Sequence, residues 1–231
     1  MTGRKGAGAA APLFAVEDLH FTYRGKSDPL FTGANLRLGQ GERIGICGKN
    51  GSGKSTLLHI GAGLLLPQQG KVILAGQECA GEKDFVEARK SLGYLLQNAT
   101  DMLFCASILE DVAFGPCNQG LTAGEAEKKA RDTLGLLGLS SLSESNGQLL
   151  SGGEQRLAAL ASILAMGVEV LFLDEPTNDL DAQGRDLLIL ALERFAVPAL
   201  IVSHDDRFLR RVCNRFCLLA DGLIKETDGP A

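Results

Sequence analysis

A run of glycines around one lysine gives the clearest chemical signal in the chain. Residues 48–55 read GKNGSGKS and fit the pattern G-x-x-x-x-G-K-[ST]. Glycines let successive backbone N–H groups turn toward a polyphosphate, and the following helix adds the positive end of its dipole. Lys54 would place a cation against the β- and γ-phosphates, and Ser55 would offer a hydroxyl ligand to Mg²⁺. The residues of this predicted phosphate-binding loop are Gly48, Lys49, Asn50, Gly51, Ser52, Gly53, Lys54, Ser55 and Thr56.

Two carboxylates follow an apolar stretch further along the chain. Residues 168–173 read VEVLFL, and Asp174 and Glu175 come directly after them. A carboxylate at the end of such a strand can hold a Mg²⁺ ion, and a second one beside it can polarise an attacking water. Taken alone, an acidic pair after a strand is more often part of a turn or a helix start. Combined with the phosphate-binding loop, it predicts Asp174 as a metal ligand and Glu175 as a catalytic base.

The segment LSGGEQR at residues 150–156 opens a helix with two glycines but has no lysine of the phosphate-loop kind. It could bind phosphate, yet it could not complete a catalytic site by itself. This segment resembles the LSGGQ signature of ABC-type ATPases. Other features of that family occur in the same order, over residues 14–225. They are Tyr23 as the aromatic that stacks on adenine, Gln97 as the Q-loop glutamine, NDLD at 178–181 as the D-loop, and His204 in VSHDD as the switch histidine.

Each of the weaker motif residues has a plain alternative when taken singly. Tyr23 alone fits a half-buried strand residue, and His204 alone fits a hydrogen-bonding residue at a strand end. Gln97 alone indicates nothing. Their order and spacing along the chain favour the functional interpretation.

The resemblance implies ATP hydrolysis with Mg²⁺ in a head-to-tail dimer. Two ATP molecules would each lie between the phosphate-binding loop of one subunit and the signature of the other. Lys54, Glu175 and His204 would then act on the nucleotide in their own subunit. Metal contacts are expected from Ser55, Gln97 and Asp174. Nucleotide contacts outside the phosphate-binding loop are expected from Tyr23, Gln97, Ser151, Gly152, Gly153, Glu154 and Asp179.

The hydrophobic pattern around these motifs predicts an α/β fold. The unbroken apolar strand at 168–173 is typical of a parallel sheet buried on both faces. Between about 98 and 165 the pattern turns helical, with capping boxes opening at Thr122 and Ser151. Together with the resemblance, this predicts a P-loop NTPase (RecA-like) core with a mostly parallel sheet, a small antiparallel β part and a helical subdomain carrying the signature. We expect one ABC ATPase domain over 13–231, after a flexible lead-in at 1–12.

Composition and charge exclude several classes of protein. The net charge is −5 and the basic residues are spread along the chain, which argues against a surface that grips nucleic acid through its phosphates. No apolar run approaches the roughly 18–20 residues of a membrane span, so a cytoplasmic location is expected. The six cysteines lack CxxC spacing and are expected to be reduced thiols.

Glycine is abundant at 29 of 231 residues. Outside the two phosphate-contacting loops, Gly70 and Gly222 are interpreted as turn residues.

The segment after Gln97 indicates a subgroup. It reads QNATDMLF at 97–104 and EDVAFGP at 110–116, and it resembles the energy-coupling-factor and cobalt/nickel importer ATPases. This implies a peripheral subunit on the inner face of the membrane, with a second ATPase subunit, a transmembrane coupling subunit and a substrate-binding membrane component as partners. Residues 102–104 would form an apolar docking surface, unless they are buried. The alternative function is a soluble ABC ATPase that acts on ribosomes or nucleic acid.

Overall fold

The computed structural model describes residues 11–230, and residues 1–10 of the predicted lead-in lie outside this range. Strands and helices are interspersed along the described chain, as expected for an α/β protein. The strands are β1 (Phe14–Phe21), β2 (Phe31–Leu38), β3 (Arg43–Cys47), β4 (Gln69–Leu74), β5 (Gln77–Glu78), β6 (Leu92–Leu95), β7 (Val170–Asp174), β8 (Ala199–Val202), β9 (Arg215–Ala220) and β10 (Leu223–Thr227). The helices are α1 (Lys54–Gly61), α2 (Glu82–Ala88), α3 (Ile108–Asn118), α4 (Ala123–Leu136), α5 (Gly152–Ala165), α6 (Ala182–Phe195) and α7 (Asp206–Val212).

The larger sheet has six strands in the order β10-β9-β3-β8-β7-β6. The five strands from β9 to β6 run parallel, and β10 closes one edge antiparallel to β9. In the centre, Val202 of β8 pairs with Ile46 of β3 on one side and with Asp174 of β7 on the other. The carboxyl ends of these three strands therefore meet at one edge, which is where open α/β sheets bind their ligands. This confirms the predicted, mostly parallel sheet.

The smaller sheet is antiparallel throughout, in the order β2-β1-β4-β5. Its pairing is irregular between Val16 and Leu19 of β1, where Asp18 has a positive φ of 49°. Gly70 lies in β4 opposite this irregularity, and a Cβ on it would come within 2.4 Å of the carbonyl oxygen of Asp18. The interpretation of Gly70 as a turn residue is therefore wrong, because the bulged partner strand requires the glycine.

Alternate residues of the central strands pack on opposite faces of the larger sheet. In β7, Leu171 and Leu173 face the helices α3 to α7, whereas Val170 and Phe172 face α1 and the smaller sheet. The ring of Phe172 packs edge to face against Phe14 of β1, with 5.0 Å between ring centroids. This contact makes the two sheets share one buried core.

The helices after β6 begin where the sequence predicts them. Both predicted capping boxes form, since the hydroxyls of Thr122 and Ser151 each accept the N–H of the glutamate three residues on. In α5, Leu157 and Leu160 are buried, as the apolar spacing indicates. Gly222, interpreted from the sequence as a turn residue, lies in the turn of the hairpin formed by β9 and β10. Helices α2 and α7 were not predicted, because seven residues offer too few apolar positions to establish a helical period.

Phe172 gives a direct test of the shared core. We expect Phe172→Ala to lower the free energy of unfolding by about 3–5 kcal/mol, because it removes a fully buried ring from both sheets. Urea denaturation followed by circular dichroism measures this loss. Leu190→Ala is the control, since Leu190 is 51% exposed and its truncation should change stability by less than about 0.5 kcal/mol. Equal losses in the two variants would contradict the shared core.

Candidate functional site

The loop between β3 and α1 uses main-chain conformations that favour glycine. Gly48 has a φ of 149° and Gly53 a φ of 104°. A Cβ on Gly48 would lie 2.5 Å from the carbonyl oxygen of Leu219, so β9 packs directly against the start of the loop. The middle of the loop, around Asn50, is exposed. The strand–loop–helix arrangement that the sequence predicts is therefore present, with the loop anchored to the sheet.

Lys54 begins α1 and is buried. Its ammonium group turns back across the loop and donates to the carbonyl oxygens of Gly48, at 2.8 Å, and Lys49, at 3.1 Å. A buried ammonium needs such partners, because an unpaired charge is costly to remove from water. The two bonds hold the cation inside the curve of the loop.

Ser55 and Asp174 connect α1 to the end of β7. The Ser55 hydroxyl donates to Oδ1 of Asp174 at 3.1 Å. Asp174 is 3% exposed, and this burial raises the pKa of its carboxyl group, against the opposing effects of Ser55, His59 and Lys54. Hydroxyl and carboxylate oxygens are ligands that suit a hard divalent cation such as Mg²⁺. The structure therefore brings together two of the three predicted metal ligands.

Glu175 and His204 form a second polar pair, at the ends of β7 and β8. The carboxylate of Glu175 accepts a hydrogen bond from the main-chain N–H of His204 at 3.2 Å, and the ring Nε2 of His204 lies 3.4 Å from Oε1. Burial raises the pKa of Glu175 above its ordinary value, and the contacts with His204 reduce the shift. A carboxylate with a raised pKa is the stronger base, which suits it to accept a proton near neutral pH.

Lys54, Ser55, Glu175 and His204 line one cavity of about 780 Å³ at the carboxyl edge of the larger sheet. Tyr23 also lies at this cavity, with its hydroxyl 2.9 Å from Oγ1 of Thr56. Gly48, Lys49 and Ser52 belong to the loop but do not line the cavity, and Asp174 lies behind Ser55. The predicted site residues on the cavity lining are Tyr23, Asn50, Gly51, Gly53, Lys54, Ser55, Thr56, Gln97, Glu175 and His204.

The signature residues do not line this cavity. Ser151 caps α5 in a reciprocal pair with Glu154, whose carboxylate accepts the N–H of Ser151 at 2.8 Å. Gly152 and Gly153 follow, and a Cβ on Gly153 would lie 2.9 Å from the carbonyl oxygen of Asp179. These five residues line a cavity of about 460 Å³ that has no lining residue in common with the larger one. Within one chain, the signature does not meet the phosphate-binding loop.

Arg156, in the first turns of α5, is a buried cation to which the sequence alone gives no role. Its Nη1 donates to the carbonyl oxygen of Glu175 at 3.0 Å, and its Nη2 donates to that of Gln97 at 2.8 Å. The same Nη2 lies 3.5 Å from a carboxylate oxygen of Asp179. The sequence does contain a signal for this residue. Arg156 lies one helical turn before Leu160, on the apolar face of the predicted helix, and a cation buried there needs polar partners.

The loop between β1 and β2 contributes residues that no sequence pattern marks. Lys26, Asp28 and Leu30 line the larger cavity. The side chain of Leu30 packs over the phosphate-binding loop, at 3.0 Å from the position that a Cβ on Gly53 would take. These residues come to the site only because β1 and β2 pair and bring their connecting loop next to α1.

The expected docking surface at residues 102–104 is divided by the fold. Leu103 is buried, because its side chain packs into the core that the helices form on one face of the larger sheet. The expectation that Leu103 belongs to the docking surface is therefore wrong. Phe104 is 65% exposed and packs edge to face on the exposed Phe114, at 5.1 Å between ring centroids. Within residues 11–230, no helix has both the length and the apolar character that a membrane crossing requires.

A family model described as ABC transporter matches residues 31–178 of the chain. The match covers more than half of the sequence and includes the phosphate-binding loop, the signature and the acidic pair. The chain belongs to the ABC transporter family. It is an ATPase subunit of that family, with the P-loop NTPase fold of the ABC cassettes.

Two relatives support the predicted resemblance to a subgroup. The energy-coupling factor transporter ATP-binding protein EcfA of Methanothermobacter thermautotrophicus is 38% identical over 219 residues, which cover 93% of this chain and 70% of EcfA. The cobalt import ATP-binding protein CbiO of Rhodobacter capsulatus is 39% identical over 217 residues, which cover 92% of this chain and 77% of CbiO.

Solved structures of ABC cassettes have the same fold. The structure of cbiO1 from Clostridium perfringens, part of the ABC transporter complex cbiONQ, matches with a TM-score of 0.82 at 30% identity, over 93% of this chain and 87% of cbiO1. A dimeric cassette in a post-hydrolysis state, bound to ADP and Pi, also has a TM-score of 0.82, at 26% identity, over 93% of this chain and 97% of that one. The resemblance to the energy-coupling-factor and cobalt group is confirmed.

The raised pKa of Glu175 predicts how stability responds to Glu175→Gln. The folded protein disfavours the carboxylate, so its ionisation destabilises the wild type as pH rises from the ordinary pKa of 4.5 through the raised folded value. The glutamine variant has no charge to bury at this position. We therefore expect Glu175→Gln to be more stable than the wild type at pH 8, with the difference shrinking as pH falls toward 4.5.

Urea denaturation at pH 5, 6, 7 and 8 measures this difference in the free energy of unfolding. Glu17→Gln is the matched control, because Glu17 is an exposed residue of β1. A difference between Glu175→Gln and wild type that stays constant from pH 5 to 8 would contradict the assigned effect of burial.

Proposed function

We propose that this ATPase binds and hydrolyses ATP at the larger cavity, in a dimer that powers a membrane importer. One observation carries the proposal. Three groups converge at a single edge of the sheet: the cationic end of Lys54, the Ser55–Asp174 pair and the Glu175–His204 pair. The signature residues line a different cavity. A site with a base and a phosphate-binding loop, but with its signature on another surface, is completed by a second subunit.

For nucleotide binding, Lys54 and the main-chain N–H groups of the phosphate-binding loop would hold the phosphates of ATP. Tyr23 is 43% exposed at the cavity, which leaves ring surface for stacking on adenine. The hydrogen bond between the hydroxyls of Tyr23 and Thr56 fixes the distance of the ring from the loop. The N-terminal turn of α1 would therefore position both the adenine ring and the phosphates of ATP.

Mg²⁺ fits the oxygen donors at the junction of α1 and β7. Ser55 and Asp174 are already within hydrogen-bond distance of each other, and Gln97 lies on the lining of the same cavity. We propose that these three residues hold the ion. When bound, Mg²⁺ would neutralise charge on the phosphate oxygens during hydrolysis.

Glu175 is the proposed general base, and His204 orients it. The carboxylate is held at one oxygen by the main-chain N–H of His204 and faces the ring at the other. Burial strengthens it as a base, as described above. Glu175 would take a proton from the water that attacks the γ-phosphate, and the His204 ring would stabilise the charged groups beside it.

The signature would act on the ATP held by the partner subunit. Ser151, Gly152 and Gly153 present a hydroxyl and helix N-terminal N–H groups, which suit an anion such as the γ-phosphate. Glu154 and Asp179 lie in the same cleft. ATP would favour the closed dimer because only that state contacts the nucleotide from both sides, and hydrolysis would release it.

The membrane role rests on the resemblance and on the exposed aromatic pair. CbiO is named for cobalt import and EcfA for an energy-coupling factor transporter. Phe104 and Phe114 offer an apolar surface in the segment that resembles theirs. We propose a transition-metal ion of the cobalt or nickel type, or a vitamin-like micronutrient, as the transported substrate. The subunit would lie peripherally on the inner face of the membrane, as one ABC ATPase domain over 13–231 with a helical subdomain at about 98–165.

The variant Glu175→Gln tests both hydrolysis and dimer closure. We expect hydrolysis to fall by at least about 100-fold, because the amide cannot accept the proton, while ATP still binds. With ATP and Mg²⁺ the variant should therefore accumulate as a dimer, measured by light scattering. Wild-type turnover by the variant would remove Glu175 from the role of base.

Mixing two inactive variants tests whether the signature acts on the partner's ATP. Lys54→Ala disables the phosphate-binding loop and Ser151→Arg blocks the signature, so each alone should be inactive. Random pairing makes half of the dimers mixed, with one intact composite site each, so the mixture should recover roughly a quarter of wild-type activity. No recovery, in a mixture shown to contain mixed dimers, would contradict action across the dimer.

Copurification tests the membrane role. We expect the tagged chain, in detergent extracts of its own cells, to retain an integral membrane subunit. Replacing both aromatics, Phe104→Ser with Phe114→Ser, should release that subunit and leave the ATPase folded, since both side chains are exposed. Recovery of ribosomes or nucleic acid instead would favour the soluble alternative.

A further inference from the structure

One buried guanidinium group connects four segments of the active site. Arg156 is 3% exposed and belongs to the helix that the signature opens. It donates to the main-chain carbonyls of Gln97 and Glu175 and lies within ion-pair distance of Asp179. These partners come from the end of β7, from the segment that leads into the helical region, and from the loop that packs on Gly153.

Two of these partners have main-chain conformations that need support. Glu175 has a φ of 51° and Asp179 a φ of 61°, and neither is a glycine. Such conformations persist only where surrounding contacts hold them. At Glu175, the N–H donates to the carbonyl of Val202 at 2.8 Å, and the carbonyl accepts from Arg156 at 3.0 Å. Both peptide groups around its Cα are thereby fixed, and with them the direction in which the carboxylate points.

We propose that Arg156 is a positioning residue that holds Glu175 in place for hydrolysis and links it to the orientation of the signature helix. The inference rests on the proposed function, in which Glu175 is the base. Arg156 is not among the residues that line the nucleotide cavity, and it borders only a neighbouring cleft, beside Gln97 and Asn178. It therefore acts through Glu175 and not on the nucleotide. A movement of α5 or of the segment at Gln97 would shift the guanidinium, and through it the catalytic carboxylate.

The alternative is that Arg156 only stabilises the fold, and the two roles differ in what they change. A merely structural residue alters the amount of folded protein but not the turnover of each folded molecule. A positioning residue alters turnover and leaves ATP binding at the phosphate-binding loop largely intact. The separation of kcat from KM therefore distinguishes them.

The experiment compares Mg²⁺-dependent ATP hydrolysis by wild type, Arg156→Met, Arg156→Lys and a matched control. Arg43→Met is the control, because its guanidinium also bonds two main-chain carbonyls, those of Leu192 and Val212, but at the opposite end of β3 from the site. Urea denaturation of each variant gives the folded fraction, by which the rates are corrected.

For Arg156→Met we expect kcat to fall at least tenfold while KM for ATP stays within threefold of wild type. Arg156→Lys should recover part of the rate, because lysine keeps the charge but lacks the planar fork that reaches two carbonyls together. Arg43→Met should lose stability and keep its kcat. If Arg156→Met does not fold, a lowered kcat with unchanged KM in Arg156→Lys supports the inference by itself.

Wild-type kcat in the folded Arg156 variants would overturn the inference. That outcome is distinct from failure of the proposed function, because hydrolysis and dimerisation of Glu175→Gln test the proposed function separately. If Glu175→Gln is inactive and dimerises with ATP while Arg156→Met turns over normally, only the role of Arg156 falls. If Glu175→Gln hydrolyses ATP at the wild-type rate, the assignment of the base falls first.

Discussion

The parallel pairing of β3, β8 and β7 is the constraint on which the site depends. Because Val202 pairs with both Ile46 and Asp174, the three strands end at one level. The phosphate-binding loop, the acidic pair and the segment with His204 are each the direct continuation of one of these strands. This pairing brings together residues that lie about 120 and 30 positions apart, as Ser55, Asp174 and His204 do.

Placing the site at this edge buries several charges, and the fold supplies a partner for each. Lys54 is bonded to loop carbonyls, Asp174 to Ser55, Glu175 to His204 and Arg156 to two main-chain oxygens. Burial still raises the pKa of both carboxyl groups, so the partners do not fully offset the loss of water. Packing of the apolar faces of the larger sheet offsets the free energy lost by burying these carboxyl groups. Such destabilising groups are typical of sites that favour activity over stability.

The sequence predicts those parts of the site that are local. The phosphate-binding loop, the capping box at Ser151 and the apolar strand before Asp174 each depend on neighbouring residues, and each forms as expected. Arg156 escaped prediction because its partners are carbonyl oxygens up to 59 positions away, which carry no residue-type signal. The predictions for Gly70 and Leu103 are wrong for a related reason, because both depend on distant parts of the chain. A bulge in the partner strand β1 requires the glycine at position 70, and packing against the helices buries Leu103.

The central claim is that one ATP is held by two chains. Hydrogen exchange of Glu175→Gln, with and without ATP and Mg²⁺, tests this most directly when it is followed at two protein concentrations. We expect ATP-dependent protection at 48–56 at both concentrations, and protection at 150–154 only at the concentration where the dimer forms. Protection of both segments in the monomer, or no protection of 150–154 in the dimer, would contradict it.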